Sequence, residues 1–318
     1  MVIKMDGGIG DMLLLTIVAK KNFCDSGKTS SVLTLYPEIF LFNNSIKRIY
    51  TEENLALKVL RTFNYQFHDI TYRCWSKLLP EKKNIFKAHV VEQFCHQLGL
   101  SGKVHLKPSI FYHDEELNSL ELPSAPYVVI QSQASHSNHP QTTKDWDLAF
   151  MQEVVDELNK NFLVVQLGDQ RDRPLSNVVN LTGKINFREA GIILRSSTLF
   201  VGLEGALMHM ARAVDCPSVI VWGGRLRPSQ VGYPCFENLT YEIECSPCWI
   251  PNFCPNGLEC MKRIQPHQVL EASQRILDKT DRSLPVDEII VEPIVSPEQM
   301  RREIQEFPPH LDHMVHRN

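Results

Sequence analysis

Leu199-Phe200-Val201-Gly202-Leu203-Glu204-Gly205-Ala206-Leu207-Met208-His209 is the stretch on which the fold turns. Residues 199–201 form a short apolar run of the kind carried by a strand buried on both faces. Glycines then interrupt it, and residues 206–214 follow with helix-forming composition. Residues 218–222 read as another buried strand. Strand, turn, helix and strand in so little chain is a parallel crossover unit, whose sheet needs helices on both faces. The alternation extends backwards through a strand at 127–130, a helix at 146–159, strands at 162–167 and 178–181, and a helix at 187–195. Ligands of such sheets sit beyond the carboxyl ends of the strands. The loops after Met5, Ile130, Leu167, Val201 and Trp222 are therefore the places to look for chemistry.

The N-terminal part repeats the theme. Residues 2–5 are extended, Asp6-Gly7-Gly8-Ile9-Gly10 supplies a turn, and residues 11–20 carry Met, Leu and Ala suited to a helix. Strands are expected at 32–35 and 46–50, and a helix at 86–98 stopping at Gly99. The pattern dissolves between His113 and Pro126, which marks a boundary. With 318 residues and 43 % hydrophobic content, the chain can fill two cores of roughly 120 to 150 residues. The expected division is 1–118, 126–280 and a tail at 281–318 that either packs back across the first domain or lacks fixed order.

A formal charge of −4 and a pI near 6.3 provide no global positive field for nucleic acid. The apolar run at 12–19 is too short to span a bilayer and follows Asp11 rather than a basic segment, so a cytoplasmic protein is expected, with peripheral contact at the inner membrane left open. Nine cysteines include Cys24, Cys74, Cys95, Cys216 and Cys235 singly, and Cys245, Cys248, Cys254 and Cys260 together within sixteen residues. Pro247, Pro251 and Pro255 bar regular structure there. Four thiolates in a compact loop suit structural zinc or iron. The plain alternatives are unbound thiols, or disulfides if the protein meets oxidant.

Together, Gly8-Ile9-Gly10-Asp11 with Leu13-Leu14-Leu15-Thr16, Lys144-Asp145-Trp146, Leu167-Gly168-Asp169, the 202–209 segment and the 245–261 cysteine segment resemble the ADP-heptose lipopolysaccharide heptosyltransferases, glycosyltransferase family 9. The resemblance covers roughly residues 1–275 and is strongest over 127–261. It implies an α/β protein of the GT-B fold, two Rossmann-like domains with parallel sheets facing across a cleft. It also implies an acceptor mainly on the first domain, a nucleotide-diphosphate sugar, ADP-heptose by family, mainly on the second, and inversion at the anomeric carbon. The implied acceptor is a lipopolysaccharide core, another glycan or glycolipid, or a protein.

By that resemblance Asp11 is the base that takes the acceptor's proton, and Lys144 is the phosphate-facing cation, with catalytic weight. Their ordinary readings are a helix cap and a solvated lysine. Gly10, Glu204, Gly205 and Ala206 are expected at the donor, because free amides opening the helix at Gly205 and Ala206 can hold a diphosphate without a catalytic metal. Where the family has Asp, a hydroxyl residue and Gly, this chain has Glu204, Gly205 and Ala206. His209 is a donor-binding candidate or a satisfied core histidine. Asp169, or Asp172 in the same loop, is expected at ribose hydroxyls, and Ile185 at the base or in ordinary core. His136 and His139 lack a partner ligand and read as surface or substrate-contacting residues. A nucleotide-sugar epimerase or hydrolase on the same fold, and a nonenzymatic nucleotide-sugar or partner-binding protein, are the competing functions.

Overall fold

The computed structural model describes residues 1–5, 7–51, 67–70, 88–136, 141–250 and 252–293. A four-stranded parallel sheet has the order β3-β2-β1-β4, formed by β1 (Val2–Met5), β2 (Ser30–Leu33), β3 (Ile46–Tyr50) and β4 (Phe67–Ile70). Val2 stands opposite Ser31 on one side and Phe67 on the other. Helix α1 (Ile9–Ser26) is the crossover from β1 to β2 and buries an unbroken run from Met12 to Ala19. It stops at Gly27, whose φ of 66° suits the left-handed cap and whose N–H donates to Phe23 O at 2.8 Å.

The second sheet is six-stranded and parallel, with β5 (Gly102–His105) intervening in sequence before it. Its members are β6 (Tyr127–Ile130), β7 (Leu163–Gln166), β8 (Val179–Asn180), β9 (Leu199–Leu203), β10 (Ser218–Val221) and β11 (Glu237–Leu239), in the order β11-β10-β9-β6-β7-β8. The order reverses between β9 and β6, which opens a crevice at their carboxyl ends. The fully buried apolar runs Tyr127–Ile130 and Leu199–Leu203 are the sequence cause of this two-faced sheet. After α2 (Val90–Gln97), which precedes β5, the long helices of this half are α3 (Leu148–Leu158), α4 (Phe187–Ser196), α5 (Ala206–Ala213) and α6 (Pro266–Leu277).

Observed elements fall within a few residues of those read from the sequence, except that α1, expected over 11–20, continues to Ser26. The sequence reading assigns nothing to β4, β5, β11, α6 or the strand at Glu288–Val291. β4 and β5 are four residues each and half exposed, so they lack an apolar run to announce them. The strand β12 (Glu288–Val291) lies in the tail and pairs antiparallel with β5, Val291 opposite Gly102 and Glu288 opposite His105. Of the two outcomes open for the tail, residues 288–291 therefore take the packed one; residues 294–318 lie outside the described set.

At the junction of the two sheets Arg188 of α4 donates to both carboxylate oxygens of Glu116, at 2.5 and 2.6 Å, to Phe111 O at 2.5 Å and to Glu38 O at 2.8 Å. Its guanidinium also stacks on the Tyr112 ring at 4.7 Å. One side chain thus joins the first domain, the connection and the second domain. Among the described residues, no helix is long and apolar enough to cross a membrane.

Candidate functional site

The first turn of α1 meets the first turn of α5 because neither carries bulk there. A Cβ on Gly10 would stand 3.1 Å from both Ala206 Cα and His209 Cδ2, so a side chain there would crowd this approach. It brings Asp11 to the mouth of the second sheet. Asp11 lies in the first turn of α1 and accepts from Gly8 N at 2.7 Å, so it does cap its own helix while lining the cleft.

That cleft has a volume of about 820 Å³, and its wall includes Gly10, Asp11, Lys144, Asp169, Ile185, Glu204, Gly205, Ala206 and His209. The structure thus brings every expected catalytic and donor-side residue to one place. It also adds residues the sequence reading missed: Tyr36 from the first domain, and Gln131, Gln133, Arg225, Leu226 and Trp249 from the second. Gln131 was available to find, since it directly follows β6, in a loop where chemistry was sought. Its amide NH2 donates to Gln133 O at 3.1 Å, and among the described residues its buried Oε1 has no hydrogen-bond partner.

Lys144 ends a short turn, Thr142–Lys144, and its Nζ meets Glu204 Oε2 at 2.5 Å, with both side chains buried. Burial pushes the lysine's pKa down, against the pull of Glu204, and Arg225 adds to the depression. Burial alone would raise Glu204, but Lys144 and Arg225 outweigh it and hold the carboxylate below its usual range. Glu204 thus places a neutralising anion on the lysine. Asp145 orders the neighbouring loop by accepting from Ala134 N and Ser135 N at 2.7 and 3.0 Å, while Trp146 is core, its indole donating to Ile264 O at 3.0 Å.

Gly205 opens α5 with no side-chain cap, and nothing stands within 4 Å of where its Cβ would be. The first turn of this helix, Ala206 and Leu207, lines the cleft without a side-chain cap, an arrangement suited to an anion. His209, one turn on, is buried, its pKa lowered by desolvation to about 3, and its Nδ1 lies 2.8 Å from Tyr233 Oη. It is a neutral ring serving the α1–α5 contact as well as the cleft wall.

The loop after β7 is closed on itself. Asp172 receives His136 Nδ1 at 2.8 Å and Asp169 N at 3.0 Å, and burial raises its pKa. Asp169 is clasped by Arg171, whose Nε lies 2.8 Å from its Oδ1. Ile185 is half-buried and packs against the main core. His139 lies outside the described residues.

Among the described residues, no three His, Cys, Asp or Glu side chains are drawn together tightly enough to hold a metal. Cys245, Cys248, Cys254 and Cys260 are free thiols, near enough for Cys248 to feel the other three electrostatically. Donors meet three of the sulfurs: Gly224 N at Cys260 Sγ, 3.0 Å, and Leu258 N at Cys254 Sγ and Asn256 Nδ2 at Cys245 Sγ, both 3.3 Å. That donor set fits thiolate ligands, whose charge such N–H groups stabilise.

Residues 87–235 match glycosyltransferase family 9 (heptosyltransferase). Lipopolysaccharide heptosyltransferase 3 of Escherichia coli is 32 % identical over 110 residues, which is 30 % of this chain and 31 % of that relative's length. TibC, an iron-containing dodecameric glycosyltransferase of enterotoxigenic E. coli, superposes with a TM-score of 0.67 at 19 % identity, covering 86 % of this chain and 75 % of TibC. Its complex with ADP-D-β-D-heptose gives the same score and coverage at 18 % identity. The ADP-heptose lipopolysaccharide heptosyltransferase II of E. coli superposes at 0.65 and 15 % identity over 87 % of this chain and 98 % of that one. Residues 87–235 are thus similar to glycosyltransferase family 9, the heptosyltransferase family, and the two parallel sheets of the chain take the GT-B fold.

Proposed function

We propose that this chain is an inverting glycosyltransferase that moves a sugar from a nucleotide-diphosphate donor, ADP-heptose by preference, to a lipopolysaccharide core or another surface glycan. The observation that carries the proposal is the meeting of Asp11, the Lys144–Glu204 pair and the uncapped start of α5 on one 820 Å³ cleft. The match of residues 87–235 to glycosyltransferase family 9 supports the reaction class, and the ADP-heptose complex of TibC supports the donor.

In the proposed reaction the acceptor approaches from the side of Tyr36 and the Gly7–Asp11 turn. Asp11 takes the proton from its hydroxyl as that oxygen bonds to the anomeric carbon, and the bond to the diphosphate oxygen breaks on the opposite face. Negative charge then grows on the leaving nucleotide. Lys144 and the amides opening α5 are fixed where they can meet it without reorganising. The four cysteines would hold zinc or iron, whose contribution is to cross-link their loop. Residence in the cytoplasm, beside the inner membrane when the acceptor is lipid-linked, completes the reading.

Two measurements test it. Thermal unfolding with ADP, UDP, GDP, CMP and ADP-heptose should show selective stabilisation by ADP and ADP-heptose, because a ligand of the native state raises stability by mass action. No response to any of them would sink the donor reading. Asp11→Asn should lower transfer roughly 10²- to 10⁴-fold while the protein still folds, since the amide oxygen can still accept from Gly8 N. Undiminished transfer would remove Asp11 from the role of base.

A further inference from the structure

The two long cations on the donor side of the cleft are held by one piece of chain. Lys144 ends the turn at 142–144, and Arg225 follows Gly223 and Gly224 in the loop after β10. Residues 248–250 and Asn252 reach both. On one side Cys248 N donates to Gly224 O at 2.9 Å and Trp249 N to Arg225 O at 3.1 Å. On the other, Thr143 Oγ1 donates to Ile250 O at 2.8 Å, and Thr142 N meets Asn252 Oδ1 at 3.2 Å. The bond from Gly224 N to Cys260 Sγ closes the assembly. Side chains at its centre would crowd it: a Cβ on Gly223 would lie 2.9 Å from Thr143 O, and one on Gly224 3.0 Å from Cys260 Sγ.

The charges complete the observation. Lys144 is already engaged by Glu204 at 2.5 Å, so a diphosphate carrying at least two negative charges calls for a second cation. Arg225 lines the same cleft, is only 3 % exposed and acts electrostatically on both members of the pair. A guanidinium offers a planar fork that spans two phosphate oxygens, which an ammonium does not.

We infer that Arg225 binds the donor's diphosphate and that the four-cysteine loop is its positioning element, so that nucleotide binding and protection of those thiols are coupled. The inference rests on the nucleotide-diphosphate reading proposed above. Coupling of this kind is reciprocal. A nucleotide that draws on Arg225 restrains segment 245–260, and a disturbed segment releases Arg225 and weakens the nucleotide.

The test uses the full chain with ADP, UDP and GDP as probes. Calorimetric titration should find the preferred diphosphate bound at least tenfold more weakly by Arg225→Met, with Arg225→Lys between the two. Gly224→Ala, which touches no phosphate but crowds Cys260, should weaken binding as well. In parallel, peptide-resolved labelling with a thiol-specific disulfide reagent should find Cys245 and Cys254 reacting several-fold more slowly with nucleotide present in the wild type, and at an unchanged rate in Arg225→Met. Wild-type affinity in Arg225→Met, or labelling indifferent to bound nucleotide in the wild type, overturns the inference while leaving the proposed function standing. A wild-type protein that binds none of the three diphosphates overturns both.

Discussion

Arg188 and Lys144 are both buried cations facing carboxylates, yet their surroundings differ in a way that separates architecture from a site. Arg188 is almost fully engaged: its fork takes both oxygens of Glu116, two backbone carbonyls take two of its three remaining N–H groups, and Tyr112 covers its face. Nothing about it invites a ligand. Lys144 has one short contact with Glu204, is pushed down by burial and by Arg225, and looks onto a cleft. A pair whose desolvation is fully offset locks two domains together, whereas a pair left beside open space can exchange partners with a ligand.

The sharpest way to break this contrast is to remove each cation. Arg188→Met leaves Glu116 and two carbonyls without their donor at the domain junction, and should cost about 3 kcal/mol or more of stability in denaturant unfolding. Nucleotide affinity per folded molecule should hardly change. A variant that unfolds normally but loses nucleotide would place Arg188 in the site and erase the distinction. Lys144→Met should do the reverse. Glu204 keeps Arg225 beside it, so folding should largely survive, while ADP binds roughly 10- to 100-fold more weakly by titration. Unchanged affinity there would make the Lys144–Glu204 pair a structural one.

A smaller effect separates the two regions by pH. His209 at the cleft and His89 beneath it are buried neutral, with pKa values lowered by burial to about 3 and about 4 from 6.5. Between those values and 6.5 the unfolded chain binds protons that the folded chain refuses, so stability falls as pH drops through this window. Each histidine contributes a slope of up to about 1.4 kcal/mol per pH unit. His209→Gln should flatten the acid limb of the stability curve by about one proton, read from denaturant midpoints between pH 4 and pH 7. An unaltered slope would mean that His209 is charged in the native protein. Glu116, held low by its bonds to Arg188, adds a loss that begins only at still lower pH, below the ordinary carboxylate value of 4.5.

These contrasts also explain what could be read from the sequence. Apolar runs such as 127–130 and 199–203 announce themselves because a doubly covered parallel strand needs every residue buried, and a glycine turn marks each loop that feeds the cleft. Asp11, Lys144, Glu204 and Gly205 sit in those loops and were found there. Arg225 was not, although Trp222 pointed to its loop: an arginine after two glycines carries no local mark, and only the contact of Gly224 with a cysteine 36 positions onward gives it a place. The same holds for β12, whose partner β5 is separated from it by nearly the whole second domain. Periodicity reports what a segment buries, not what it meets across the chain.

The smallest expected effect bears on the loop after β7, where the sequence reading set Asp169 or Asp172 against ribose hydroxyls. Both carboxylates have protein partners already, Asp169 through Arg171 and Asp172 through His136 and the Asp169 amide. Asp172 fixes Nδ1 of His136, which leaves Nε2 as the ring's other polar atom, on a half-exposed side chain lining the cleft. One hydrogen bond from that atom to a bound nucleotide is worth about 1 kcal/mol. His136→Gln should therefore weaken ADP binding about three- to tenfold. Asp169→Asn, which disturbs only an exposed clasp with Arg171, should change it less. If Asp169→Asn is the more damaging of the two, the acidic residue itself meets the ribose, and Arg171 is a partner it gives up when the donor arrives.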